Sequence, residues 1–317
     1  MQYYIVRRLL FAIPTLIGVC MLVFILMRIV PGDVALLMVG GEEGKIDMEA
    51  LQHIRQELGL DKPIWSQFGE WFWGVIRFDF GKSYWTKEPG ISEIGRRFPL
   101  TLQLAIMATI ICVISAIPVG IISAIRQDTG LDYFLRVFSI VGLAMPSFWL
   151  GLLIIIFLVR LFSWSPPLEY VSPFADFKEN MAQLIWPAMA VAYREAALVA
   201  RMTRSCMLEV LREDYIRTAW AKGLRERVVI YRHALKNALI PVITIIGINF
   251  AFLFGGLVVT ETVFTLPGLG RFVVDSIRHR DYPMIQAVVL VMAFILVMTN
   301  LLVDLVYGWF DPRIRYS

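Results

Sequence analysis

Six long apolar runs, near Leu9–Val30, Leu100–Ile125, Phe138–Phe162, Leu184–Met202, Ala238–Val263 and Met284–Tyr307, leave this chain few ways to fold. A bilayer core of about 30 Å is crossed by a helix of about 20 residues, and backbone in hydrocarbon must satisfy its own hydrogen bonds. Runs of this length read as helices, so the expected fold class is an all-α integral membrane protein with six transmembrane helices. Composition agrees, since 58% hydrophobic and 18% charged residues exclude an ordinary soluble domain. Their weak periodicity is what helices facing lipid on one side and other helices on the opposite side show.

Lys and Arg are unevenly divided among the connections. Arg7 and Arg8, Arg126 and Arg136, the nine from Arg201 to Lys236, and Arg313 and Arg315 make fifteen on one side; the opposite short loops hold only Lys178, Arg271, Arg278 and Arg280. The positive-inside rule puts the richer side, and with it both termini, in the cytoplasm of a multi-pass protein of the cytoplasmic (inner) membrane. Residues 31–99 then form a large external loop after the first helix, with eleven acids against eight bases. The net charge of +4 follows from this asymmetry, so the lipid bilayer is the partner implied and no nucleic acid is.

The first run carries Arg7 and Arg8 ahead of it, as a secretory signal does. It is too long for a signal core and is followed by Ile29-Val30-Pro31-Gly32-Asp33, so it reads as an uncleaved span. In the external loop, Met48–Leu60 reads as a short amphipathic helix ended by Gly59, and Trp65–Phe78 mixes aromatic and polar residues as interfacial segments do. The loop serves either as a cover on the bundle or as a docking surface for an external partner. These readings divide the chain into 1–98, the first helix and external segment; 99–308, a five-helix core; and 309–317, a cytoplasmic tail.

Several motifs exclude chemistry. Gly81-Lys82-Ser83 resembles the end of a phosphate-binding loop, but the position five residues before Gly81, where that loop needs glycine, is Ile76. Cys20, Cys112 and Cys206 fall in or beside predicted helices and have no metal or disulfide spacing. His53, His233 and His279 are isolated, so no metal site is expected. No nucleophile with a base and no intramembrane carboxylate pair can be assembled, so the chain is read as a non-enzyme without a cofactor of its own.

Residues 207–241 are a charged island between two apolar runs. Glu213 and Asp214 stand where a helix starts, Lys222 where it ends, and Gly223 supplies the left-handed residue that closes it. A helix of about nine residues is predicted, with Tyr215, Ile216, Ala219 and Trp220 as an apolar ridge available to a partner's groove. Deeper in the predicted spans, charges cost at least about 2.5 to 3.5 kcal/mol each. Arg194 and Glu195 are adjacent, about 100° apart on a helix, and are not expected to pair with each other. They face either polar partners in the bundle or an aqueous path; Asn249 and Glu261 raise the same question, with Glu261 near a helix end where water is expected to reach it.

Arg217-Thr218-Ala219, three residues, then Gly223 has the spacing of the Glu-Ala-Ala loop of binding-protein-dependent ABC importer permeases, which this chain resembles. The resemblance is to the dipeptide, oligopeptide and nickel branch. It extends through Pro31-Gly32-Asp33, Leu58-Gly59-Leu60-Asp61, Pro146-Ser147-Phe148-Trp149, His233-Ala234-Leu235-Lys236-Asn237-Ala238, Glu261-Thr262-Val263-Phe264, Pro267-Gly268-Leu269-Gly270, Arg280-Asp281-Tyr282-Pro283 and Asp311-Pro312-Arg313-Ile314-Arg315. Arg217 stands in place of the acidic first residue of the broad pattern, as it does in that branch.

The resemblance implies a type I ABC importer permease fold that imports peptides. Asp214, Tyr215, Ile216, Arg217, Thr218, Ala219, Ala221, Lys222, Gly223 and Leu224 would form the coupling helix near 214–223 that docks on an ATPase. It also implies a homologous second permease chain, two ATPase subunits holding ATP and magnesium, and an external substrate-binding protein, with Arg194, Glu195, Asn249 and Glu261 as candidates for the translocation path. Nickel or another small solute is the alternative cargo. An ion-gradient-driven secondary transporter is the alternative class, and would be expected to carry an internal repeat that this sequence lacks.

Overall fold

A computed structural model of the chain describes residues 2–29, 52, 61–166 and 169–310. The helix predicted at Met48–Leu60, apart from Gln52, and residues 311–317 of the predicted tail lie outside the described residues. The elements are α1 (Gln2–Ile29), α2 (Ile64–Ile76), α3 (Gly90–Ile125), α4 (Gly130–Ala144), α5 (Ser147–Phe162), α6 (Phe177–Val210), α7 (Asp214–Ala221), α8 (Glu226–Val263), α9 (Leu269–Arg278) and α10 (Tyr282–Phe310).

Among the described residues four stretches are long and apolar enough to cross a membrane alone: Leu10–Ile29, Gly90–Ile125, Glu226–Val263 and Tyr282–Val303. The span predicted at Phe138–Phe162 is not one helix. It is divided between α4 and α5, which meet the criterion only as a pair and are bent by 103°. Pro146 is the cause: it offers no N–H and forces the preceding residue out of the helical region, leaving Met145 extended at φ −82° and ψ 123°. The fourth predicted run falls inside α6, whose 34 residues also carry Lys178, Glu179, Arg194, Glu195, Arg201 and Arg204.

The described residues fall into two compact units: those within 1–9, 98–271 and 295–317 form one, and those within 10–97 and 272–294 the other. In the first, α6 is the central element and packs on α4, α5 and α8. Its buried face is built from small residues, Ala188, Ala190, Ala192, Ala197 and Ala200, which let neighbouring backbones approach closely. That matters in lipid, where burying an apolar side chain between helices gains little over leaving it in hydrocarbon and close contact supplies the attraction. Gly120 of α3 lies so close to α6 that a Cβ there would stand 2.5 Å from the Cβ of Thr203 and 2.7 Å from the Ala200 carbonyl oxygen. α8 contains a π-helical turn, Val229–Ala234, in which Val229, Ile230 and Ala234 are buried.

The second unit centres on Cys20, Val23 and Leu290, covered by Trp71, Phe72 and Val75 of α2. Phe24 meets Phe68 edge-on at 5.3 Å and Trp71 at 5.5 Å, within the range of favourable aromatic pairs. Trp65 and Trp73 remain exposed on α2, as amphipathic rings at a membrane interface do. The stretch that resembled a phosphate loop is a structural turn: Asp281 accepts from the Ser83 hydroxyl and from the Tyr84 N–H. Burial, reinforced by the charge of Asp281, pushes the Tyr84 phenol up to about 12. Cys20, Cys112 and Cys206 are buried free thiols.

Gly120→Val is expected to lower stability by about 1 to 3 kcal/mol, the usual range for overpacking a tight contact, because the obstacle includes backbone. The midpoint of thermal unfolding in detergent measures it; an unchanged midpoint would contradict the close α3 to α6 approach.

Candidate functional site

α7 is too short to persist alone in water, so its position depends on what its buried side chains touch. Ile216 and Ala219, three residues apart on one face, are buried and belong to one apolar cluster with Val229, Ile230 and Ala234 of the π-helical turn. Asn237 of α8, three residues beyond the π-helical turn, donates to the Tyr215 hydroxyl at 2.8 Å. The predicted apolar ridge is therefore divided. Ile216 and Ala219 hold the helix to its own chain, and only Tyr215 and Trp220 of the four face outward. Asp214, Arg217, Thr218, Ala221, Lys222, Gly223 and Leu224 are exposed as well.

The ends of α7 are defined by backbone geometry. Glu213 occupies the N-cap without a side-chain cap bond, and the helix runs eight residues, one short of expectation. At the other end Gly223 adopts φ +73°. Its N–H bonds the Trp220 carbonyl at 2.9 Å and that of Leu224 bonds Ala219 at 3.4 Å, the two closures of a Schellman motif. The Arg217 to Asp214 ion pair at 3.3 Å is almost fully exposed and contributes little.

Immediately before α7, the end of α6 is held by a buried carboxylate that sequence reasoning did not single out. Asp132, in the first turn of α4, accepts from Arg204 Nε at 2.9 Å and Nη2 at 2.8 Å. It also accepts from the Ser123 hydroxyl and from the Asp128 N–H at 3.0 Å. Two parallel bonds from one guanidinium fix direction as well as distance. A signal was present in the sequence: Thr129 followed three residues later by Asp132 is an N-terminal capping pattern, and Thr129 does accept from the Asp132 N–H.

The four candidates for a translocation path separate into two groups. Arg194, Glu195 and Asn249 line one cavity of about 230 Å³ with Leu143, Ser147 and Phe252. Arg194 is exposed and Glu195 half-buried, neither bonded to another described side chain, and Asn249 Nδ2 is buried without a partner. Glu261 is elsewhere, fully buried, which corrects the expectation that water reaches it. Its carboxylate accepts from the Thr101 hydroxyl at 2.6 Å and from the Arg271 N–H at 3.0 Å, while Thr101 accepts from the Leu269 N–H at 2.9 Å. Glu261 thus caps the N-terminus of α9, where free N–H groups and the helix dipole favour a carboxylate. No group of three or more His, Cys, Asp or Glu capable of holding a metal occurs among the described residues.

Residues 116–316 match the family described as binding-protein-dependent transport system inner membrane component, and residues 1–105 match the N-terminal region of such membrane components. The chain belongs to this family of transport permease subunits, has its type I ABC importer permease fold, and is not an enzyme. It is similar over its full length to the dipeptide transport system permease protein of Alkalihalophilus pseudofirmus, 39% identical over 336 residues and 100% of both chains. The Escherichia coli K12 dipeptide transport system permease protein is 39% identical over 340 residues, again with both chains fully covered. A putative peptide transport system permease protein of Brucella abortus is 41% identical over 318 residues with the same coverage. As a subunit of a binding-protein-dependent ABC system, the chain is an inner-membrane component that works with a binding protein and an ATPase.

Asp132→Ala would leave Arg204 and Ser123 without their acceptor. The expected loss is about 3 kcal/mol, the lower end for breaking a buried pair, because Arg204 keeps some access to water. A double-mutant cycle with Arg204→Met checks it, and additive losses would contradict the pairing.

Proposed function

We propose that this chain is one of two homologous permease subunits of an ATP-driven importer of peptides, with α7 as the helix that couples it to the ATPase. The single observation carrying this reading is the divided surface of α7: Ile216 and Ala219 fasten it to the π-helical turn while a polar and aromatic face is left open. A solvated connecting loop has no need of a capped helix seated on its own chain. The names of the full-length relatives support peptides as the cargo class. The count of Arg and Lys supports the orientation, with α7 and both termini cytoplasmic and the segment after α1 outside, available to the binding protein.

Two ATPase subunits hold ATP and magnesium in this scheme. Closure of their dimer moves the docked α7, and the firm seating of α7 passes that movement to α6 through residues 211–213 and to α8 through the π-helical turn. Reversing a conformational equilibrium from 1:99 to 99:1 takes roughly 5.5 kcal/mol of differential binding. A coupling element that yielded before delivering that energy would waste the stroke, so rigidity at the end of α7 is required. Arg194, Glu195 and Asn249 line the translocation path.

A Cβ built on Gly223 meets nothing within 4 Å, so replacing this glycine costs only what the positive φ costs. Gly223→Leu is expected to abolish most ATP-dependent dipeptide uptake by vesicles holding the assembled system while ATP hydrolysis continues. Gly223→Asn, which tolerates the left-handed region, is expected to retain uptake. Normal uptake by the leucine variant would refute the coupling role, and uptake that follows an ion gradient and ignores ATP would refute the importer.

A further inference from the structure

The cavity between α4, α5, α6 and α8 brings together an exposed cation, a half-buried carboxylate and a buried amide nitrogen that the fold leaves without an acceptor. Arg194, exposed, and Glu195, half-buried, carry opposite charges on adjacent residues of α6, and neither forms a salt bridge with a described side chain. Asn249 of α8 adds an amide whose Nδ2 is buried without an acceptor. Elsewhere in the same unit two fully buried carboxylates are matched, Asp132 by the Arg204 guanidinium and Glu261 by the Thr101 hydroxyl and the Arg271 backbone N–H. Ligand pockets combine apolar walls with a few such converging polar groups, and here Leu143, Leu198, Phe252 and Leu253 supply the walls. The pocket is also open, since Phe252 is 66% exposed.

Charges of both signs on the wall of one cavity suit a ligand that is itself charged at both ends. A free dipeptide has an ammonium and a carboxylate roughly 7 Å apart when extended, and one amide carbonyl between them. We propose that Arg194, Glu195 and Asn249 form a transient binding site for the two charged ends of a free peptide. Arg194 takes the terminal carboxylate as a two-pronged donor, Glu195 accepts from the terminal ammonium, and Asn249 Nδ2 donates to a peptide oxygen. The site would hold cargo by its ends and ignore its side chains, as a conduit for varied peptides requires. This inference rests on the importer reading above.

Equilibrium binding of radiolabelled alanyl-alanine to the assembled transporter in nanodiscs, without the binding protein, tests it. With the wild type, the unlabelled free dipeptide should compete at least about tenfold better than its N-acetylated or C-amidated forms. Arg194→Gln should erase the discrimination against the amide alone, and Glu195→Gln that against the acetyl alone, a crossed pattern that general damage to the bundle does not produce. Equal competition by all forms, failure of the wild type to bind, or parallel losses in both variants would overturn the site. ATP-driven dipeptide uptake by vesicles holding the same transporter with its binding protein is measured alongside: uptake together with no end discrimination in the binding assay sinks this inference and leaves the importer standing, whereas no ATP-driven uptake sinks both.

Discussion

The guanidinium of Arg204 clamped on the buried carboxylate of Asp132 is the interaction on which the arrangement around α7 depends. It joins the last turns of α6 to the first turn of α4, and α7 begins four residues after α6 ends, at Asp214. A helix of eight residues with an exposed ion pair and no side-chain N-cap has little stability of its own. What fixes it is inherited: from α6 through residues 211–213, and from α8 through Ile216 and Ala219 seated on the π-helical turn. The π turn is more than an irregularity on this view. Val229, Ile230 and Ala234 within it share one buried apolar cluster with Ile216 and Ala219, so the turn is the apolar seat of α7 on a helix that continues into the membrane.

Charges near membrane depth meet two fates in this chain. Glu261 is sealed among Thr101 and the first N–H groups of α9, so its cost is offset by bonds that also fix where α9 starts. Arg194 and Glu195 are left without such partners and line a cavity beside an unsatisfied amide. The same physics that makes an unpaired charge expensive in lipid makes it informative. Where the fold matches one charge internally and leaves another open within the same unit, the open one is the candidate for function.

Much of this was legible in the sequence. Apolar runs of spanning length identified the class, and Gly223 three residues after the last apolar turn of a charged island gave the end of α7, down to its left-handed backbone. The run Phe138–Phe162 was misread as one helix because hydropathy registers Pro146 as a single residue, whereas its steric effect on Met145 bends the chain by 103°. Ile216 and Ala219 were expected to face a partner because periodicity identifies an apolar face without saying what covers it. Glu261 was misplaced for a related reason: distance along a helix measures depth, not burial, and the groups that enclose Glu261 come from Thr101 and Arg271, far apart in sequence. Asp132 and Arg204, 72 residues apart, could be paired only in three dimensions.

The central claim is that the outward face of α7 meets the ATPase while its inward face belongs to this chain. A photoreactive amino acid placed at Arg217, with the same probe at exposed Trp65 as the control, tests it in the assembled transporter. The account predicts a covalent adduct with the ATPase subunit from position 217 and none from position 65. An ATPase adduct from position 65, or none from position 217 in a transporter that still imports, would contradict it.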